Sequence, residues 1–333
     1  MAGAAGCPGG AGRPGLKRGV ADAAALHVRN ELWQDARQGR LARPRRGDIP
    51  RESIIHTLLR SLIASCLCAA ALALPARAVP QDARELVFGI YPYLSPSQIV
   101  EQFTPLNDYL AAALGRPVTL RSAPDFARFV ERTRAGEYDV IFTAPHMGRL
   151  AEKRDGYLPL AQTGNPFVFV ALAKKDSPVT SLGQMGGRAI AIGARLSMTY
   201  QVMNRALGKN GLELGKSVRF VDTAGFSNII DAISRGEADA GAAPTILLDN
   251  APAEQRALLK EIYRSEPLPS FFILAHPRIG KETHKRLQAA LFGFAGTATG
   301  HRYFSKTLQL DFRPLDAVTL KRMDSFTTVF DAP

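Results

Sequence analysis

Cysteine is almost missing from this chain. Its 333 residues include three, Cys7, Cys66 and Cys68, and all precede the segment expected to remain after processing. The thiolate is the reactive and metal-binding form of cysteine, so a mature chain without one excludes thiol catalysis and thiolate metal sites. Beyond residue 78 there is also no Walker A loop, no G-x-G-x-x-G, no H-E-x-x-H and no G-x-S-x-G. His276, His284 and His301 stand in C-terminal segments without metal-ligand spacing. No cofactor or metal is expected. Signals of catalysis are thin, although fold alone does not exclude an enzyme.

Excess charge is also scarce once it is divided along the chain. The formal net charge is +12, but Met1 to Ala78 holds 12 of the 42 Lys and Arg and 5 of the 30 Asp and Glu, which leaves 30 basic against 25 acidic residues, or +5. A surface for a nucleic acid is therefore not indicated. Long apolar runs are limited to Leu58–Leu74, "LLRSLIASCLCAAALAL", with Arg51 and Arg60 near its start and "PARA" at its end. That is the pattern of a secretory signal peptide cleaved after Ala78, and the run is short for a membrane-spanning helix. The expected location is the periplasm. "IASC", Ile63 to Cys66, also matches a lipobox, so a lipid-anchored form through Cys66 is the alternative. Met1–Pro50, rich in Gly, Ala and Arg, reads as disordered and as long for a signal N-region, which suggests a start codon downstream of Met1.

From Glu85 onward, strand-like and helix-like segments alternate: "ELVFGIYPY", "TPLNDYLAAALG", "PVTLRSA", "DFARFVERTRAG", "YDVIFTAP". The alternation predicts α/β layers with parallel strands. Leu106, Leu110 and Leu114 share a helical face, for which Thr104 is the predicted N-cap, Pro105 the first helical residue and Gly115 the stop. A second block repeats the theme in "RAIAIGA", a helix to Leu207, "SVRFVDT", "FSNIIDAISRG" and "ADAGAAP". The blocks echo each other: Gly136-Glu137-Tyr138-Asp139 precedes Ala144-Pro145, and Gly236-Glu237-Ala238-Asp239 precedes Ala243-Pro244. Two similar lobes follow, with "PFVFVALAKKDSP" and "LPSFFILAHPRIG" as the crossings. Predicted boundaries are 1–78 for the presequence, 79–172 with 265–333 for one lobe, and 173–264 for the other. In "AIAIGARLSMTYQVMNRAL" a hydroxyl-rich loop opens a helix, a place for an N-cap or for a bound anion, and the local sequence does not choose. One of Tyr91 and Tyr93 is expected to reach a cleft.

With these motifs the chain resembles the periplasmic substrate-binding proteins of phosphate, phosphite and phosphonate ABC transporters, the PhnD-like family. The matching stretches are "FGIYPYLSPSQIVEQFTPLNDYLAAALGRPV", "AGEYDVIFTAPHMGRL", "AIAIGARLSMTYQVMNRAL" and "GEADAGAAP". The resemblance implies a type II periplasmic-binding fold, with two mixed-sheet lobes joined by two crossing strands that close over a small anionic ligand. It implies ligand contacts at Tyr93 and Ser95 in the first loop, Thr143 and His146 in the second, Ser197, Thr199 and Tyr200 in the third, and Ser227 in the fourth. His146 would donate to an anionic oxygen. The implied partner is an ABC transporter permease in the inner membrane, with the binding protein as a monomer; a sensing domain for a membrane receptor is the other reading. Ser227-Asn228 and His146 depart from the family's usual residues, which leaves the ligand's substituent open.

Overall fold

The computed structural model describes residues 84–223 and 226–330, so the presequence, its cleavage site and the lipobox at Cys66 lie outside the described residues. In chain order the elements are β1 (Leu86–Ile90), α1 (Pro96–Leu114), β2 (Val118–Arg121), α2 (Phe126–Arg134), β3 (Val140–Thr143), α3 (Pro145–Asp155), β4 (Leu158–Thr163) and β5 (Phe169–Lys174). They continue as β6 (Ala189–Ile192), α4 (Met198–Gly208), β7 (Arg219–Asp222), α5 (Phe226–Ser234), β8 (Ala240–Pro244), α6 (Thr245–Asp249), α7 (Ala253–Ala257) and β9 (Leu259–Arg264). The chain ends with β10 (Phe272–Ala275), α8 (Lys281–Phe294), α9 (Ala298–Thr307), β11 (Phe312–Arg313) and α10 (Ala317–Lys321).

Two mixed sheets result, ordered β11-β4-β10-β3-β1-β2 and β7-β6-β8-β5-β9. The second is a copy of five strands of the first: β6, β7 and β8 repeat the parallel β1, β2 and β3, and each sheet takes one antiparallel strand, β10 or β5, beside its third parallel strand. The strand Phe169–Lys174, in which the sequence reading puts the lobe boundary at 172/173, pairs along its whole length with β8 and β9. Likewise β10 lies wholly in the first sheet. The crossings therefore reduce to the short connections before β5 and before β10, which meet at an antiparallel bridge between Phe167 and Leu268.

The sequence echo has a structural job. Gly136 and Gly236 end helices at φ of 67° and 73°, in the left-handed region that glycine enters without penalty. Three residues on, Asp139 accepts from the Val87 amide at 2.8 Å while its own amide donates to the Val87 carbonyl. Asp239 does the same with Ala189 at 2.8 Å. Each carboxylate thus ties the third strand of a lobe to its first. An arginine completes each one, Arg278 to Asp139 at 2.6 Å and Arg188 to Asp239 at 3.1 Å.

Helix α1 begins earlier than the proline rule places it. Ser95 is its N-cap, in a reciprocal capping box with Gln98, and Pro96 takes the first helical position. Pro105 lies inside the helix, and the Thr104 hydroxyl donates to the Val100 carbonyl one turn back. A continuous buried face of Ile99, Phe103, Leu106, Leu110 and Leu114 outweighs an internal proline that costs about 3 kcal/mol in an isolated helix. Gly115 closes the helix at φ 64°, as the sequence predicts. Helices α8 and α9 pack on α1 and so belong to the first lobe.

The two aspartates differ in burial: the Asp139 side chain is 3% exposed and that of Asp239 is 36% exposed. Asp139→Ala should therefore cost about 3–5 kcal/mol of stability, and Asp239→Ala about 1 kcal/mol. Urea unfolding of the two variants checks this, and equal losses would refute the assignment.

Candidate functional site

In both lobes the C-terminal ends of the parallel strands open into the loops that carry polar side chains, the end at which α/β sheets bind ligands. On the first lobe, β1 stops at Ile90 and the chain turns at once, with the Tyr93 amide donating to the Tyr91 carbonyl at 2.9 Å. The tyrosine rings stack at 5.0 Å and 9°, so they do not split to opposite sides, and residues two apart in an extended chain share a face in any case. Phe271, at the end of a crossing, lies 5.0 Å from the Tyr93 ring. The Tyr93 hydroxyl accepts from Gln102 at 2.7 Å, which leaves its own proton for a ligand. Burial pushes both phenols well above the usual tyrosine range, so they stay protonated donors.

Thr143 ends β3 and is completely buried, yet its hydroxyl has no partner. Beyond it Ala144 caps α3 without a side-chain bond, and Pro145 and His146 form the first turn. His146 is also completely buried; Nε2 lies 2.9 Å from the Leu196 carbonyl oxygen, and Nδ1 is unpartnered. Leu196 belongs to the loop before α4, so this bond runs directly from one lobe to the other. Burial lowers the His146 pKa to about 4, with a smaller opposing contribution from the Leu196 carbonyl.

On the second lobe, Ser197 is the N-cap of α4 and accepts from the Tyr200 amide at 3.1 Å. A cap uses only a lone pair, so the hydroxyl proton stays available for a ligand. Thr199 is half-buried beside it. Thr223, at the end of β7, has a buried and unpartnered hydroxyl. A Cβ placed on Gly193 would stand 3.8 Å from Ser197 Oγ and 3.9 Å from the Thr223 carbonyl oxygen, so these loops converge. Tyr200 is set apart, because its ring packs on Phe220 at 5.2 Å in the body of the lobe, with the Arg195 guanidinium over both rings. Ser95 is exposed and engaged in the α1 capping box. Ser227 is exposed in the first turn of α5, and residues 224–225 before it lie outside the described residues.

The structure thus places Tyr93, Thr143, His146, Ser197 and Thr199 on strand-end loops and helix starts of the two lobes. Sequence reasoning omits Thr223, although "SVRFVDT" ends in a hydroxyl just past β7, much as Thr143 ends β3. Among the described residues no group of three or more His, Cys, Asp or Glu is placed to hold a metal ion.

The family model for the periplasmic substrate-binding protein of phosphonate ABC transporters matches residues 88–319. The chain belongs to this family. Its function is the capture of a solute in the periplasm for an ABC transporter. Solved structures show the same type II fold at low identity. PhnD1 of Prochlorococcus marinus in complex with methylphosphonate is 15% identical, with a TM-score of 0.66 over 74% of this chain and 98% of its own. The XAC2383 protein of Xanthomonas citri bound to ATP is 22% identical, with a TM-score of 0.65 over 73% and 96%. The alkanesulfonate-binding protein SsuA of Xanthomonas axonopodis bound to MOPS is 16% identical, with a TM-score of 0.51 over 74% and 92%.

The lobes are also joined through the C-terminal segment. Asp324 accepts from Arg149 of α3 at 2.6 Å, with Lys153 at 3.8 Å. The next residue, Ser325, receives two bonds from Arg205 of α4, both 2.6 Å, and the guanidinium lies 4.0 Å from the Phe326 ring centre. Phe330 then covers the His146 ring at 5.6 Å. Because Arg205 is exposed, Arg205→Ala should cost only about 1 kcal/mol, but the radius of gyration in small-angle scattering should rise as the lobes part. An unchanged radius would show that this segment does not hold the lobes together.

His146 adds a pH dependence. With its folded pKa depressed below 6.5, the unfolded chain binds the proton first, so the stabilisation is complete above pH 6.5 and is lost as pH falls toward 4. The loss is about 3 kcal/mol for a fully buried ring. Thermal unfolding between pH 7 and pH 4.5 should show a steeper decline in wild type than in His146→Gln, and the difference isolates this ring from His276 and His284, which shift in the same direction.

Proposed function

We propose that this protein captures a small oxyanion of the phosphonate, phosphite or phosphate type between its lobes and presents it to an inner-membrane permease. One observation carries the reading. Thr143 Oγ1, His146 Nδ1 and Thr223 Oγ1, drawn from both lobes and from strand ends or a helix start, are all buried without a partner. Such a group costs roughly 1–3 kcal/mol when left unsatisfied. A ligand between the lobes would supply the missing partners. Methylphosphonate in PhnD1 is a ligand of this size and polarity.

Ser197 and Thr199 would add hydroxyl donors at the start of α4, Tyr93 a third, and the open first turns of α3 and α4 their amides and the positive ends of their dipoles. Tyr200, its amide taken by the Ser197 cap and its ring by Phe220, would brace the start of α4, and Ser95 and Ser227 would bound the mouth of the cleft. Neutral donors of this kind bind an anion without a buried full countercharge, so the ligand can leave when the lobes reopen. In this reading residues 1–78 are removed on export, Cys66 offers a lipid-anchored variant, the working form is a monomer, and no reaction is catalysed.

Isothermal titration of the mature protein against phosphate, phosphite and methylphosphonate tests the proposal. At least one should bind, without turnover. Ser197→Ala combined with Thr199→Ala should weaken that binding by about 100-fold while lowering stability by only about 1 kcal/mol through the lost cap. If none of the three anions binds, or if the double variant loses stability and affinity in proportion, the reading fails.

A further inference from the structure

We infer that His146 selects the protonation state of the captured oxyanion: its second ring nitrogen accepts a hydrogen bond, so the site favours an oxyanion that carries an acid proton over one that carries none. The inference rests on the cleft being an oxyanion site and names which oxyanions enter it.

A carbonyl oxygen can only accept, so the ring nitrogen 2.9 Å from the Leu196 oxygen must hold the imidazole proton. The other nitrogen then presents a lone pair. Turning the ring over changes nothing, because whichever nitrogen faces Leu196 becomes the donor and leaves its counterpart bare. Charging the ring would fill that position, but complete burial opposes it. The buried, unpartnered nitrogen of His146 is therefore an acceptor, the polarity opposite to the donor expected from sequence. An ionised oxygen brought against it would set lone pair against lone pair. A P–OH would donate to it, while the hydroxyls of Thr143 and Thr223, also buried and unpartnered, can donate to the ionised oxygens.

Phosphonates and sulfonates have nearly the same shape, and the related folds include binders of each. At a pH below the second ionisation of methylphosphonate, that ligand and methanesulfonate both carry one negative charge and differ by a single proton. Titration calorimetry should then find methylphosphonate bound about 100-fold or more tightly, the discrimination expected when a buried polar group loses its partner. Equal affinities would overturn the inference while leaving oxyanion capture intact. Failure of both ligands, together with phosphate and phosphite, would overturn the capture reading and this inference with it.

His146→Asn supplies an amide that can turn its N–H toward either ligand, so the preference should shrink below about 10-fold. A fully retained preference in that variant would refute the role of His146. Should the variant not fold, ¹⁵N spectroscopy of the wild-type ring gives the same answer. On binding methylphosphonate, Nδ1 should keep the shift of an unprotonated acceptor, and a protonated Nδ1 in the complex would refute the inference.

Discussion

The backbone passes between the two sheets twice, and the passages are held to each other by the pairing of Phe167 with Leu268. Much of the molecule follows from that constraint. Beyond the bridge the outgoing strand enters the second sheet as β5, and the returning strand enters the first as β10, so each lobe is completed by the strand adjoining a crossing. The lobes are therefore joined by this narrow pair, about which closure over a ligand would have to turn. Because β1, β3, β6 and β7 all end on the side where the crossings lie, the same geometry turns their polar loops toward one another. A narrow connection and strand ends facing one side are two consequences of one arrangement.

On the proposed reading, the energetics of polar burial would govern what the lobes do. Thr143, His146 and Thr223 each bury an unpaired polar atom, and closing the lobes over them without a partner is costly. A bound oxyanion would remove that penalty, so affinity and closure would draw on the same hydrogen bonds. This gives closure a differential interaction with the ligand, without which no ligand can shift a conformational equilibrium.

Local features were legible in the sequence, and long-range ones were not. The two Gly-Glu-x-Asp units could be read because a left-handed glycine and a carboxylate three residues later act over a few ångströms of backbone. The start of α1 was misplaced because Pro105 satisfies the rule for a first helical residue, whereas the deciding contribution is a buried face that runs from Ile99 to Leu114. Strand Phe169–Lys174 reads as apolar and extended in any setting, and its sheet is decided by partners some 70 to 90 residues away in β8 and β9. At the candidate site, the hydroxyl-rich helix start at Ser197 and Thr199 could be read from the strand-to-helix pattern, whereas Thr143 came only through the family resemblance. The polarity of His146 could not be read, since it depends on a carbonyl in the other lobe. Thr223 was missed because one hydroxyl after a strand is a common residue until its burial is known.

The C-terminal segment bears on how such a cleft can release what it holds. His146 lies between the Leu196 carbonyl of the second lobe and the Phe330 ring, and the segment that carries Phe330 is fastened to α3 through Asp324 and to α4 through Ser325 and Phe326. Reopening the cleft must break the Leu196 bond and either the α3 or the α4 attachment. The Arg205 contacts are exposed and individually weak, so they are the ones that can yield without unfolding either lobe. If His146 contacts the ligand as proposed, opening would expose the imidazole to water, which would satisfy Nδ1 and remove its demand for a proton from the ligand. On that proposal a buried acceptor would be selective only while the cleft is closed, and a segment that favours closure would also set how much of the time the site discriminates.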